Sequence, residues 1–415
     1  VRRFSLSLLF IGWPFGSTLL TFRQMTAGRD RRFSWLLFTL FAGLYGYTFA
    51  VTEQMDMDLS RIYALYDTLR GKGWEEAFPY FFVNGDLSGF FYWSVGTLNF
   101  PAQIIGFLSS AFLYGSLALI AAKALELTGK PVRKDLLPIA CMLLVFTTHP
   151  FFFNGVRSST GTVLFVLGCL DALQGRKAAG ALPAAFAFLV HFYFLPLFFL
   201  YLLFAYAGRK TVYAVCCLFL AALLFYRPLM GLLIGLAEAV GGPGNLLAVK
   251  IEGYALEWDV SNAQGLTLGS RVWLAQNFIL LAAAGLAALS PSLRRLRTIY
   301  PYLPRLERLM LLLASFLILN GRNLIVAGRL LYLLTLLAIL YLVILAALCP
   351  GSSLFHQMRW LTEAILLIAA AAFTLELFRT RHAWEIYANV PRLFYDNLFS
   401  LLNLPFRSNA YPVGP

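Results

Sequence analysis

The chain has 415 residues, 60% of them hydrophobic and 13% charged, with a mean hydropathy of +0.73 and a formal charge of +13. A soluble protein of this length carries far more polar surface, so the composition excludes a soluble globular enzyme and predicts an all-α, polytopic membrane protein. The positive charge is weighed first against membrane topology, not nucleic acid. The five cysteines lie in or beside apolar runs with no CxxC spacing, and read as packing residues rather than disulfides or metal ligands.

Apolar runs at 4–22, 35–52, 101–122, 136–151, 157–174, 179–191, 192–208, 211–226, 273–290, 309–319, 330–349 and 361–378 predict about twelve transmembrane segments in one integral domain, 1–415. The first follows two arginines without a small-residue cleavage site, so it reads as a retained span and not a signal. Runs 179–191 and 309–319 are too short to cross upright, and short helices at membrane depth usually line a cavity. Two long connections, about 53–100 and 227–272, are rich in aromatic and apolar residues. Within them "AFPYFFVNGDLSGFFYWSVGTLNF" and "LMGLLIGLAEAVGGPG" predict short interfacial helices. No repeat or low-complexity tract is evident.

Arginine and lysine crowd into one set of short connections: Arg23, Arg29, Arg31 and Arg32, then Lys123, Lys130, Arg133 and Lys134, then Arg176 and Lys177, Arg209 and Lys210, Arg294 to Arg308, and Arg359. That crowding marks the cytoplasmic face. The long connections and both termini then face outward, and the net charge is topology with no nucleic-acid partner needed.

Polar residues gather on the outward side. In "EQMDMDLSRIYALYDTLR", Asp56, Asp58, Arg61 and Tyr63 follow the second run, with Asp58 and Arg61 three apart and so neighbours on a helix. Arg157 opens the fifth run in "FFFNGVRSSTGTVLFVLGCL", beside Ser158, Ser159 and Thr160. His191 divides two half-length runs in "AFLVHFYFLPL". Arg322 and Arg329 flank a turn in "NGRNLIVAGRLLY", with Tyr332 one turn on, and Arg271 opens the ninth run. Each has a plain reading: a surface ion pair for Asp58 and Arg61, a core histidine for His191, a headgroup-seeking arginine for Arg157 or Arg329. Several at one depth are harder to explain that way, because an unpaired charge in hydrocarbon costs about 2.5–3.5 kcal/mol. Guanidinium forks suit phosphate oxygens, and Arg157 stands at a helix N-terminus that favours an anion. A pyrophosphate or phosphate headgroup on a lipid is the ligand these features predict.

The ordered set "DMDLSRIY", "FFFNGVRSSTGTVLFVLGCLDALQGRK", "FLVHFYFLPL" and "GRNLIVAGRLLYLL" resembles the EpsG/Wzy-like family of bacterial exopolysaccharide and O-antigen polymerases across most of 35–350. The family pattern of Asn-Gly-Val/Ile-Arg opening a span, a short span ending in His, and a late Arg with Tyr three residues on is matched in order. It departs where the family often has Gln after the Arg and Ser soon after the His: here stand Ser158-Ser159 and Phe192-Tyr193.

The resemblance implies a membrane glycosyltransferase of the bacterial inner membrane, with its active site facing the periplasm. It would move a glycan from undecaprenyl pyrophosphate onto the terminal sugar of another lipid-linked glycan. Donor and acceptor are both undecaprenyl-pyrophosphate-linked oligosaccharides, and a chain-length regulator protein is an implied partner. On that reading Arg157, Arg329 and Arg322 hold the pyrophosphate, helped by Arg61 and Arg271. His191, Asp56 or Asp58 deprotonates the acceptor, with His191 favoured because an ordinary imidazole titrates near neutrality. Tyr63, Tyr254, Tyr332 and the aromatics of 78–93 contact sugars. No carboxylate cage or His/Cys set is present, so no metal or other cofactor is expected. A ligase that passes the glycan to lipid A, a lipid-linked glycan transporter, and a structural partner of a synthase are the alternatives.

Overall fold

The computed structural model describes residues 2–26, 30–49, 58–81, 87–129, 136–148, 156–241, 268–321, 324–349 and 389–404, with isolated residues 248, 360, 364, 367 and 368. Among the described residues the chain is all-helical.

Helices α1 (Arg2–Gly12) and α2 (Pro14–Thr26) divide the first expected span at Trp13. Pro14 has no N–H to continue α1 and suits the first position of a new helix. The halves fold back on each other: the Ser17 hydroxyl donates to the Leu6 carbonyl at 2.9 Å. A continuous helix would hold residues eleven apart at about 16 Å. At the open end of this hairpin Arg3 is ion-paired with Asp30. Run 4–22 is therefore not a crossing, and its first residues share an end with Asp30 and the basic segment around it. This corrects the expectation that the N-terminal end faces away from that segment.

There follow α3 (Arg31–Tyr47), then α4 (Asp58–Leu69), α5 (Trp74–Ala77) and α6 (Ser88–Thr97), which are the short helices expected in connection 53–100. Next come α7 (Gln103–Glu126), α8 (Leu136–Thr147), α9 (Val156–Leu173), α10 (Lys177–Val190), α11 (Phe194–Tyr206), α12 (Arg209–Ala222) and α13 (Tyr226–Gly241). The last are α14 (Leu268–Leu289), α15 (Arg294–Ile299), α16 (Tyr302–Leu319), α17 (Leu324–Leu348) and α18 (Leu398–Leu402).

Three of these are long and apolar enough to cross a membrane: α7, α9 and residues 326–348 of α17, with mean hydropathies of 2.0, 1.3 and 2.8. The described helices thus supply three of the twelve expected spans. Runs 179–191 and 192–208 become α10 and α11, each about 20 Å long and short of a bilayer core. The chain bends by 95° between 209–225 and 230–239. Run 309–319 is drawn out into the 18-residue α16, because buried Leu303 and Leu306 carry its apolar stripe past Arg305 and Glu307. Run 361–378 lies mostly outside the described residues.

The chain divides into two compact units, Val1–Leu164 with Phe186–Phe194 and Val343–Pro415, and Phe165–Ala185 with Leu195–Leu342. In the first, α3 and α7 cross at small residues. A methyl on Gly46 would sit 2.2 Å from the Gly106 carbonyl oxygen, so only hydrogen fits there. Ser110 donates to the carbonyl of Ala42 at 2.6 Å and the Trp35 indole to that of Gly115 at 2.8 Å. Close backbone approach of this kind is how helices associate in lipid, where apolar burial gives little drive. Residues 389–404 cover the hairpin: Leu393, Leu401 and Leu404 share a core with Leu6, Phe10, Leu37 and Leu44. The Trp13 indole donates to the carbonyl of Phe394 at 2.7 Å and the Tyr47 hydroxyl to that of Leu402 at 2.9 Å.

In the second unit, a methyl on Gly180 would lie 2.3 Å from the Gly168 carbonyl oxygen. The Tyr201 hydroxyl donates to the Lys177 carbonyl at 2.6 Å, so α11 folds back along α10. Arg305 reaches the Ala172 carbonyl at 3.0 Å and lies over the ring of Phe204. These contacts bring the connections at 174–177 and 207–209 and the first turns of α16 to one end of the unit.

Candidate functional site

Arg157 is the second residue of α9 and is half-buried in its first turn, where backbone amides lack intrahelical acceptors. Two nearby hydroxyls, those of Ser159 and Thr162, serve the helix itself. Ser159 donates to the carbonyl of Val156 at 3.2 Å and Thr162 to that of Ser158 at 2.8 Å. With its proton given to a backbone carbonyl, the Ser159 hydroxyl has only lone pairs left and cannot donate to an anion in this arrangement.

His191 is buried between the end of α10 and the start of α11. Its N–H donates to the carbonyl of Ala187 at 3.0 Å, and its own carbonyl accepts from Phe194 at 2.9 Å. Nδ1 accepts from the Tyr193 N–H at 3.5 Å, the outer limit of a hydrogen bond. The ring lies beside those of Tyr193 and Phe194, at 6.1 and 6.4 Å between centroids. In the contact with the Tyr193 N–H, Nδ1 is the acceptor.

One contact joins these two places within the first unit. A methyl on Gly161 would sit 2.3 Å from the ring of Phe194. Gly161 is one turn beyond Arg157 on the same helix face, and Phe194 is three residues beyond His191. The mouth of α9 and the His191 bend are thus neighbours. The Leu87 N–H donates to the carbonyl of Leu189 at 3.0 Å, which ties the start of α6 to the same bend. Trp74 on α5, Phe81 after the short turn at 78–80, and Phe90 and Trp93 on α6 form an aromatic cluster with Trp74 and Phe90 exposed. It is anchored by the Trp93 indole donating to the Lys72 carbonyl at 3.0 Å.

The remaining predicted residues are placed as follows. Arg61 is exposed on α4, and Asp58 opens that helix. Tyr63 is buried, and a methyl on Gly106 would lie 3.1 Å from its hydroxyl. Arg329, half-buried, and Tyr332, buried, stand one turn apart on α17 in the second unit. Arg271 is the fourth residue of α14. Asp56, Tyr254 and Arg322 lie outside the described residues. Among the described residues, no three His, Cys, Asp or Glu side chains gather closely enough to share a metal ion.

Sequence reasoning missed a polar centre in the second unit. Glu307 accepts from Arg297 Nε at 2.9 Å and from the Tyr341 hydroxyl at 2.6 Å. Burial pulls the Arg297 pKa down, but the hydrogen bond and charge of Glu307 outweigh it, leaving a net rise. The available signal was Glu307 itself, the sole acidic residue between 291 and 323.

Comparison with protein-family models, with characterised proteins and with solved structures gives no match.

Proposed function

We propose that the chain is a membrane glycosyltransferase that lengthens a polysaccharide, using undecaprenyl-pyrophosphate-linked glycans as donor and acceptor at the outer face of a bacterial inner membrane. The observation that supports this reading best is the packing of Gly161 on Phe194, which makes neighbours of an arginine-bearing helix mouth and a buried histidine.

The acceptor hydroxyl oxygen attacks the anomeric carbon of the donor, and the bond from that carbon to the pyrophosphate oxygen breaks. The pyrophosphate leaves with the electron pair, and the hydroxyl proton passes to the base. Arg157 and the first-turn amides of α9 would oppose the charge that grows on the leaving group, an effect strongest where water is excluded. The His191 imidazole would take the proton at Nδ1. The exposed rings of Trp74 and Phe90 offer apolar faces for sugars, with Phe81 as their support.

Product analysis tests the reading. Purified protein in detergent, given lipid-linked repeat units, should yield longer lipid-linked glycans. Glycan appearing on lipid A would instead identify a ligase. Activity that requires a sealed vesicle and makes no new glycosidic bond would identify a transporter and defeat the proposal.

A further inference from the structure

Arg70, Lys72, Glu75 and Glu76 fall within seven consecutive residues, and all but the half-buried Lys72 are exposed. A charge at the centre of a bilayer costs about 2.5–3.5 kcal/mol, so four together keep this stretch out of the hydrocarbon. Trp74 stands among them and is 52% exposed. Its open face therefore meets water or a polar ligand, not acyl chains.

The ring is held in place from behind. Phe81, Phe90 and Trp93 lie 5.2, 6.1 and 5.4 Å from it between centroids. Phe90, 43% exposed, adds a second open face beside it. A methyl on Gly89 would lie 2.4 Å from the Tyr80 carbonyl oxygen, so α6 is seated directly on the turn at 78–80. Lys72 is drawn over the Tyr80 ring at 4.6 Å. Two apolar faces fixed in this way bind without first having to be ordered.

The Leu87 N–H, which donates to the Leu189 carbonyl, fastens the start of α6 to the end of α10. Phe90 is one turn from Leu87 and His191 two residues from Leu189, so their Cα atoms are about 20 Å apart at most. That is within the span of an oligosaccharide. His191 is buried whereas Trp74 and Phe90 open outward, so one sugar does not meet both.

We propose that Trp74 and Phe90 form the acceptor subsite, stacking on sugars behind the terminal one while the terminal hydroxyl reaches His191. This rests on the glycosyl transfer proposed above and names which of its two glycans the rings hold. The rings are fastened to the bend that carries the base, and the base is the group an acceptor must meet. The donor is held by its pyrophosphate, whose charge is assigned to Arg157 on α9. The C–H face of a sugar suits an aromatic face, and its hydroxyls stay in water.

Extension is measured on the full-length purified protein with undecaprenyl-pyrophosphate-linked glycan as donor and two lipid-free acceptors. One is the oligosaccharide released from that donor by mild acid, and the other is its terminal monosaccharide. The wild-type protein should favour the oligosaccharide. Trp74→Ala should lower kcat/KM for the oligosaccharide about tenfold and for the monosaccharide far less, and Trp74→Phe should recover most of the loss. Equal losses for the two acceptors, or no loss at all, would overturn the subsite, because Trp74 would then hold the fold or nothing. A rise in donor KM with unchanged use of the oligosaccharide would overturn it too, moving the rings to the donor. If the wild-type protein forms no glycosidic bond, titration calorimetry with the released oligosaccharide separates the two claims. Binding that Trp74→Ala abolishes keeps the glycan platform and defeats glycosyl transfer, whereas no binding defeats both.

Discussion

Two of the bends among the described residues, at Trp13–Pro14 and at His191–Tyr193, are built differently. The bend at Trp13–Pro14 is held by contacts within the protein, although Trp13 itself is partly exposed. Ser17 ties its two helices together, Trp13 donates to Phe394, and the rings of Phe15 and Phe394 meet edge to face at 4.9 Å. The bend at His191–Tyr193 joins helices held by Tyr201 and Lys177, yet it carries a buried imidazole beside the mouth of α9. A break in a membrane-depth helix is therefore no guide to function by itself. What distinguishes the second is an ionisable group at the break and an arginine-bearing helix start next to it.

The largest effect should come from breaking the second bend at its base. Gly180→Leu places side-chain atoms against the Gly168 carbonyl, which is backbone and cannot swing away. It should destabilise the protein by about 3 kcal/mol or more, seen as loss of the folded fraction on detergent-phase thermal unfolding. Gly161→Ala meets the Phe194 ring instead, a side chain that can turn. A cost of about 1–3 kcal/mol is expected, with a loss of glycan extension larger than the stability loss explains. Phe194→Leu in the same protein should return part of both. If Gly161→Ala leaves extension intact, the two turns need not stay together for function.

The first bend should respond only in stability. Ser17→Ala removes a buried hydrogen bond and should cost about 1 kcal/mol with extension unchanged. Trp13→Phe loses the donor to Phe394 at a more exposed place, and a somewhat smaller shift in midpoint is expected. A loss of activity in Ser17→Ala at full stability would erase the distinction between the bends.

Helix positions were legible wherever an apolar run was uninterrupted: run 157–174 became Val156–Leu173, and the aromatic connection 53–100 yielded its short helices. Run 4–22 misled, although Pro14 was in plain view. Its apolar composition is the same straight or folded, and the contact that folds it joins residues eleven apart. The apolar run 309–319 stops at Arg308, whereas the helix begins at Tyr302, because charges in its first turns do not end it. They continue it, because Arg305 and Glu307 find partners 133 and 34 residues away. Arg157 and His191 stood out by polarity alone. The contact between Gly161 and Phe194 that makes them neighbours pairs a glycine with a ring in another run, and no periodicity reports such a pair.

The most direct measurement is chain extension by the purified, folded protein on undecaprenyl-pyrophosphate-linked glycan, comparing wild type with Arg157→Ala at matched thermal stability. The account predicts longer lipid-linked products from the wild-type protein and none from the variant, since the charge on the departing pyrophosphate would have lost its guanidinium. Equal product lengths from the two proteins would contradict it.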